Sequence, residues 1–224
     1  MKSVKTSTRD TVYNILKEKI IDLSLAPGMT ISENEMAESL KVSRTPIREA
    51  LIRLSQEELV EIYPQKGTTI SRIDLSLVEE ARFMREQLER AVIREAAERI
   101  PEAILHEIHS NLAMQEIYAK TKDMKKLYEL DGEFHEWIFI GCGKHRIWKL
   151  IYSMDAHLNR LRMLQYTTSL DWVQVVGEHQ QIARAIELHD MELAEQLVQK
   201  HLNTVQIDQE KLKEAYPTYF SPSV

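Results

Sequence analysis

Cysteine occurs once in the 224 residues, as Cys142, so no disulfide can form within the chain and a reducing compartment suits it. Glycine and proline are scarce, six of each, and long stretches free of both favour helix over most of the length. No apolar run approaches the roughly 20 residues that a membrane helix needs. Met1 to Asp10 is polar and charged, without the apolar centre of a secretory signal. Internal repeats and low-complexity segments are also missing. These absences predict a cytoplasmic protein with no membrane partner.

What is present describes a globular chain, 43% hydrophobic and 29% charged, long enough for one or two domains with a buried core. The net charge of −6 at first argues against nucleic acid. Its distribution reverses that reading. Residues 1–72 hold 11 Lys and Arg against 10 Asp and Glu, whereas residues 73–224 hold 18 against 25. An acidic second part can mask a DNA-binding first part, because binding depends on the local patch.

The first part is organised around Ser43-Arg44-Thr45-Pro46-Ile47-Arg48-Glu49-Ala50-Leu51-Ile52-Arg53-Leu54. As a helix it places Ile47, Ala50, Leu51 and Leu54 on one face. Arg44 and Arg48, four apart, project together from another face, with Thr45 beside them. Ser43 or Thr45 can cap, and Pro46 suits a first turn. Arginine at the exposed start of a short helix offers paired donors to guanine, and the free amides face phosphate. An ordinary amphipathic helix with solvated arginines would read the same way, so the flanks decide. A helix is predicted over Arg9–Leu23, burying Val12, Ile15, Leu16, Ile20 and Leu23. After the Pro27-Gly28 break, Ser32-Glu33-Asn34-Glu35 reads as a capping box that opens a second helix burying Met36, Ala37 and Leu40. Lys41-Val42 leaves room only for a tight turn, which gives a helix-turn-helix. Leu59–Tyr63 and Thr68–Ser71 are β-prone runs joined by Pro64-Gln65-Lys66-Gly67, a hairpin wing with a basic tip.

Ala26-Pro27-Gly28, Ile31–Ala37 and Val42–Leu51 together resemble the winged-helix domain of GntR-family bacterial transcription regulators. The resemblance implies DNA contacts at Ser43, Arg44, Thr45 and Arg48, with Lys66 and Gly67 at the wing tip. Asn34 stands where many members of that family carry Arg, so a contact there is missing or changed.

From Asp74 onward helical patterns dominate. Ser76 with Glu79 reads as a capping box opening a helix to about Ile100. Further helices are predicted over about 102–120, 123–140, 144–168, 171–188 and 191–214. The expected fold is mainly α: a winged helix-turn-helix over 1–73, an all-α bundle of about six helices over 74–214, and a tail, 215–224, that is extended or disordered.

Asp131 and His135 are four apart on one predicted helix and share a face, while His179 and His201 lie on two others. Three histidines and a carboxylate suit Zn²⁺, or Ni²⁺ or Mn²⁺, and bundles build such sites from several helices. Histidines this far apart are more often surface or core residues, and spacing alone leaves both readings open. Asp131–His135, Glu178-His179-Gln180 and Lys200-His201-Leu202 resemble the ligand motifs of the FCD domain, the effector domain of the FadR-type GntR subfamily. Met84–Glu89 resembles that domain's first helix, which implies that Arg85 faces an effector cavity. Three tryptophans, Trp137, Trp148 and Trp172, read as core anchors, and Cys142 is assigned no chemistry. His106, His109, His145 and His189 read as surface or turn residues, and His157 as packing or surface.

The leading reading is a homodimeric, ligand-responsive regulator, a repressor of a palindromic double-stranded operator, with a metal-assisted site for a small organic acid and Arg85 as counter-charge. It is not expected to be an enzyme. Two rivals remain: a metal-dependent hydrolase with Glu133 or Glu178 as base and an accessory DNA-binding domain, or a DNA-binding dimer whose metal only braces the bundle.

Overall fold

The computed structural model describes residues 7–63, 67–168, 172–203 and 209–222. The chain forms two compact units: Met1–Val78 with Ala156–Met163 and Leu212–Val224, and Glu79–Asp155 with Leu164–Lys211.

In the first unit, helix α1 (Thr8–Ile21) is capped by Ser7, whose Oγ accepts from the Asp10 amide at 3.2 Å. It packs on α3 (Arg44–Gln56) and buries Leu16 and Ile20 beside Ile47, Leu51 and Leu54. All four predicted core positions of α3 are buried. Helix α1 ends two residues earlier than its apolar period indicates, because Leu23 turns left-handed, and Tyr13 and Ile21 complete the buried face. Ile15 and Leu23 are only partly buried.

Helix α2 (Glu33–Leu40) begins at Ser32, whose carbonyl accepts the Met36 amide at 3.0 Å. The Ser32 hydroxyl makes no capping bond, so the predicted box does not form, and only Ala37 of the three expected core residues is fully buried. Lys41, left-handed at φ 54°, turns the chain into α3. The wing is antiparallel, β2 (Val60–Tyr63) on β3 (Gly67–Ile70), with Val60 opposite Ile70. A two-residue strand, β1 (Thr30–Ile31), pairs with the other edge of β3. The sequence reading missed it; two residues carry no period.

Residues 212–222 belong to this unit. A 3-10 turn over Pro217–Tyr219 leads to the buried Phe220, which bridges in parallel to Ile73. Arg160 donates to the Ser71 carbonyl at 2.5 Å, and the Asp74 amide donates to His157 Nδ1 at 2.9 Å. Residues 156–163 therefore pack with the winged helix, which nothing in the sequence indicated.

The second unit holds most of α4 (Leu75–Arg99), then α5 (Glu102–Thr121), α6 (Met124–Gly141), α7 (His145–Met154), the end of α8 (Ala156–Thr168), α9 (Trp172–Glu187), α10 (Met191–Asn203) and the start of α11 (Gln209–Ala215). The expected single helix over 144–168 breaks at Asp155; of the expected helix over 191–214, α10 and the start of α11 are helical, and 204–208 lie outside the described residues. The cap of α4 is Asp74, which accepts from the Ser76 amide at 2.8 Å; Glu79 instead pairs with Arg82. Helix α5 packs on α6 and α9, and α9 on α10, around Ile93, Phe134, Ile138, Ile182 and Ile186. Gly141 permits a close approach, since a Cβ there would lie 2.9 Å from Ile100 Cγ1. Among the described residues no helix is long and apolar enough to cross a membrane.

Candidate functional site

The first unit presents one polar helix end beside one strand pair. Burial of Ile47 and Leu51 fixes the rotation of α3, and that rotation turns Ser43, Arg44, Thr45 and Arg48 to solvent. Arg44, Arg48, Asn34, Tyr63 and Gly67 line an open groove of about 780 Å³ between α2, α3 and the wing. Gly67 holds φ 105°, a backbone that side chains rarely adopt, so it fits the turn end of a tight hairpin. Lys66, expected at the wing tip, lies outside the described residues. Arg44 Nη2 contacts Glu33 Oε2 at 3.2 Å across the groove, with the arginine side chain still 66% exposed. The face is open, and its exposed Arg44 and Arg48 suit contact with nucleic acid.

The second unit brings together the four residues that sequence spacing singled out. Helix α6 supplies Asp131 and His135 from successive turns, α9 supplies His179 and α10 supplies His201. One donor atom from each lies within 4.8 Å of every other, and all four side chains are buried. His179 Nε2 is 3.2 Å from His201 Nε2 and 3.7 Å from Asp131 Oδ1. Phe134 stacks on the His179 ring with centroids 4.2 Å apart.

The Nδ1 edges face outward to protein acceptors. His201 Nδ1 donates to Glu178 Oε2 at 2.9 Å, and His179 Nδ1 to Gln115 Oε1 at 2.8 Å. His135 Nδ1 lies 2.6 Å from Glu89 Oε2, a close polar approach without hydrogen-bond alignment. Burial pushes the Glu89 carboxyl up, but the Arg85 guanidinium, which donates to it, more than offsets this and holds the group well below the usual carboxylate range. Burial lowers the His135 pKa, so the ring stays neutral, the form that ligates metals. A hydrogen-bond acceptor at Nδ1 leaves Nε2 of a neutral ring with a lone pair. The two Nε2 atoms of His179 and His201 face each other at 3.2 Å, where a shared proton or a metal ion would satisfy both. His135 Nε2 is also buried without a hydrogen-bond partner among the described residues. The donor set and its backing fit a divalent ion.

Arg85 is buried. Its guanidinium is engaged by Glu89 and sits 5.7 Å from the Trp148 ring. Two candidate bases of a hydrolytic reading are placed otherwise: Glu178 accepts from His201 and Gln174, and Glu133 is exposed and turned toward Asn111. Sequence reasoning missed Glu89, Asn111 and Gln115 as site residues. One signal was available, since Ile108, Asn111, Leu112 and Gln115 form a 3-4-7 stripe in which two amides interrupt a core face. Trp148 and Trp172 are buried and Trp137 partly so. Cys142 is half-buried and its thiol is pushed up to about 11, which keeps it unreactive. His106 and His109 are exposed, and His145 and His189 bond to Glu136 and to the Ala97 carbonyl.

Comparison with known proteins accounts for both units. Residues 8–70 match the family of bacterial regulatory proteins called gntR, and residues 80–204 match the FCD domain. An uncharacterised HTH-type transcriptional regulator in an unstable DNA locus of Streptomyces ambofaciens is 34% identical over 97% of this chain and 91% of its own. The transcriptional repressor RspR of Escherichia coli K12 is 29% identical over 94% of this chain and 92% of its own. A gluconate operon repressor from Bacillus subtilis is 24% identical over 90% of this chain and 85% of its own. Among solved structures, E. coli McbR/YncC superposes with a TM-score of 0.80 at 20% identity, covering 94% of this chain and 99% of that one. These domains are regulatory, not enzymatic. The chain belongs to the GntR family of bacterial transcription regulators and carries an FCD domain behind its winged helix.

Proposed function

We propose that this chain is a cytoplasmic repressor whose operator affinity is set by a small organic acid bound beside a divalent metal ion. The observation that carries the reading is the buried cluster of Asp131, His135, His179 and His201, with each Nδ1 backed by a protein acceptor. These residues would hold the ion, Zn²⁺ by ligand preference, with Ni²⁺ or Mn²⁺ accepted by the same set. When bound, the ion supplies a Lewis-acid point for a carboxylate. Arg85, buried and held by Glu89, would supply a second positive charge for the same anion. The relative named for a gluconate operon is consistent with a carboxylate class, and two relatives are named repressors.

At the other end, Ser43, Arg44, Thr45 and Arg48 read base edges and phosphates in a major groove, with Lys66 and Gly67 of the wing on the adjoining backbone. A homodimer presents two such helices to a palindrome with half-sites about 34–36 Å apart. Effector binding shifts the population of dimer geometries that span those half-sites, a coupling of roughly 1–3 kcal/mol.

The test is metal content of the purified protein, followed by release of selected operator DNA with a panel of small carboxylates. About one divalent ion per chain, lost in His179→Ala, with a carboxylate response lost in His135→Ala and His179→Ala, is expected. A carboxylate response that persists unchanged in both variants overturns the sensing mechanism. Metal loss that lowers the melting temperature and leaves the response intact selects a metal that only braces the bundle.

A further inference from the structure

His179 differs from the other two histidines of the cluster in what stands behind it. His201 rests on a carboxylate, Glu178, and His135 lies against another, Glu89. His179 rests on a neutral amide, Gln115, which is fully buried. An amide can present either its oxygen or its NH₂ group, so something must decide which one His179 meets.

The Leu130 carbonyl decides it. A carbonyl oxygen only accepts, and Asn111 Nδ2 donates to it at 3.1 Å. With its NH₂ group so committed, Asn111 turns Oδ1 toward Gln115, whose Nε2 donates to it at 2.7 Å. Gln115 Nε2 also reaches the same Leu130 carbonyl, at 3.4 Å. Gln115 Oε1 is thereby the atom left for His179, and Nδ1 of that ring must carry the proton. Both amides lie on one face of α5, four residues apart, and are buried against α6 and α9. In water the Nε2–H form of a neutral imidazole predominates, so an Nδ1–H ring has to be imposed.

We infer that Asn111 and Gln115 are positioning residues: a two-amide relay, anchored on the Leu130 carbonyl, that holds His179 as the Nδ1–H tautomer with its Nε2 lone pair aimed into the cluster. Neither residue touches the ion; both act through His179. The inference rests on the metal reading for its consequence, which is affinity, but the tautomer is a property of the metal-free chain. The relay thus backs Nδ1 of the third histidine with a neutral amide where the other two face carboxylates.

The experiment records nitrogen-15 histidine spectra of the metal-stripped full chain and measures Zn²⁺ affinity by competition with a chromophoric chelator. Wild-type His179 is expected as Nδ1–H. In Gln115→Leu the ring should revert to Nε2–H and Zn²⁺ affinity should fall about 10–100-fold, the usual effect of removing such a partner. Asn111→Leu, which leaves Gln115 free to rotate, should shift both readouts in the same direction by less. Gln115→Glu, which restores an acceptor at Nδ1, should recover the Nδ1–H form and most of the affinity. An Nε2–H ring in the wild type overturns the relay, as does Gln115→Leu with tautomer and affinity both unchanged. Should Gln115→Leu fail to fold, the wild-type spectrum and Asn111→Leu decide the question alone. A wild-type chain that binds no Zn²⁺ yet shows a relay-dependent Nδ1–H ring removes the metal reading and leaves the relay standing.

Discussion

Arg44 is held in the free protein by Glu33, a contact that DNA would have to displace. The pair is solvent-exposed, and such pairs contribute at most about 1 kcal/mol. Glu33→Gln should therefore tighten binding to an operator recovered by in vitro selection by about two- to fivefold. Arg44→Ala should lose about 1–3 kcal/mol if the side chain reads a base. Fluorescence anisotropy at fixed salt measures both. Unchanged affinity in Arg44→Ala would remove Arg44 from the recognition face.

His157 makes the first unit sensitive to acid. Burial first, and then the Arg160 guanidinium, lower its pKa to about 4, and Asp74 only partly compensates. Its Nδ1 accepts from the Asp74 amide at 2.9 Å and from Arg160 at 3.1 Å, so a proton on that atom breaks both bonds. The unfolded chain takes up the proton near the ordinary value of about 6.5. Between the two values the unfolded state binds more protons. Stability of the first unit should accordingly fall as pH drops from about 6.5 to 4, by up to about 3 kcal/mol, and this group adds no further loss below that. His157→Asn keeps an acceptor near the Nδ1 position and should flatten the slope. Amide exchange across α1 and α3 is the suitable readout, because Trp137, Trp148 and Trp172 all lie in the second unit. An identical slope in the variant would assign the acid sensitivity elsewhere.

Helix α6 concentrates the chemistry of the second unit, and its start can be weakened without touching its ligands. Asp123 accepts from the Lys126 amide at 3.1 Å and caps the helix eight residues before Asp131. Asp123→Ala should cost about 0.5–2 kcal/mol, read as a lower urea midpoint by tryptophan fluorescence, with Zn²⁺ stoichiometry unchanged. A drop in stoichiometry would mean that the ligand geometry depends on the cap. Elements of this length were readable from the sequence because a buried stripe repeats many times along them. Ile47, Ala50, Leu51 and Leu54 specify α3 that way, and both wing strands are β-prone runs on either side of a turn signal. What repeats too little was not readable: β1 has two residues, and Asp155 interrupts an otherwise continuous helical pattern. Caps were misread where two candidates stand close together, so Ser76 was preferred to Asp74, which does the capping. In the site, Asp131 and His135 share a helix face by spacing alone. His179 and His201 join them only through the packing of α9 on α10, which spacing does not encode. Asn111 and Gln115 interrupt an apolar stripe in sequence, but only the packing of α5 on α6 and α9 sets them against His179.

At the scale of the whole molecule the question is whether metal sets stability, response or both. Asp131 is fully buried among three histidines whose Nδ1 atoms all face acceptors. Without a cation that arrangement keeps a carboxylate and converging lone pairs out of water, and each is costly to bury. An ion that binds the folded chain and not the unfolded one stabilises by mass action, about 2.7 kcal/mol at a hundred times its dissociation constant and about 4.1 at a thousand times. Saturating Zn²⁺ should thus raise the melting temperature of the second unit, a chelator should reverse the rise, and His201→Ala should abolish it. The same chelator treatment should leave amide protection in α1 and α3 unchanged, because the ligands belong to one unit only. DNA binding by the metal-free protein then separates the roles. If the ion serves the effector, metal-free protein binds operator as tightly as before and no longer releases it with carboxylate. If operator binding itself fails on metal removal, the ion is needed for the DNA-competent dimer, and the sensing role assigned to the cluster is wrong.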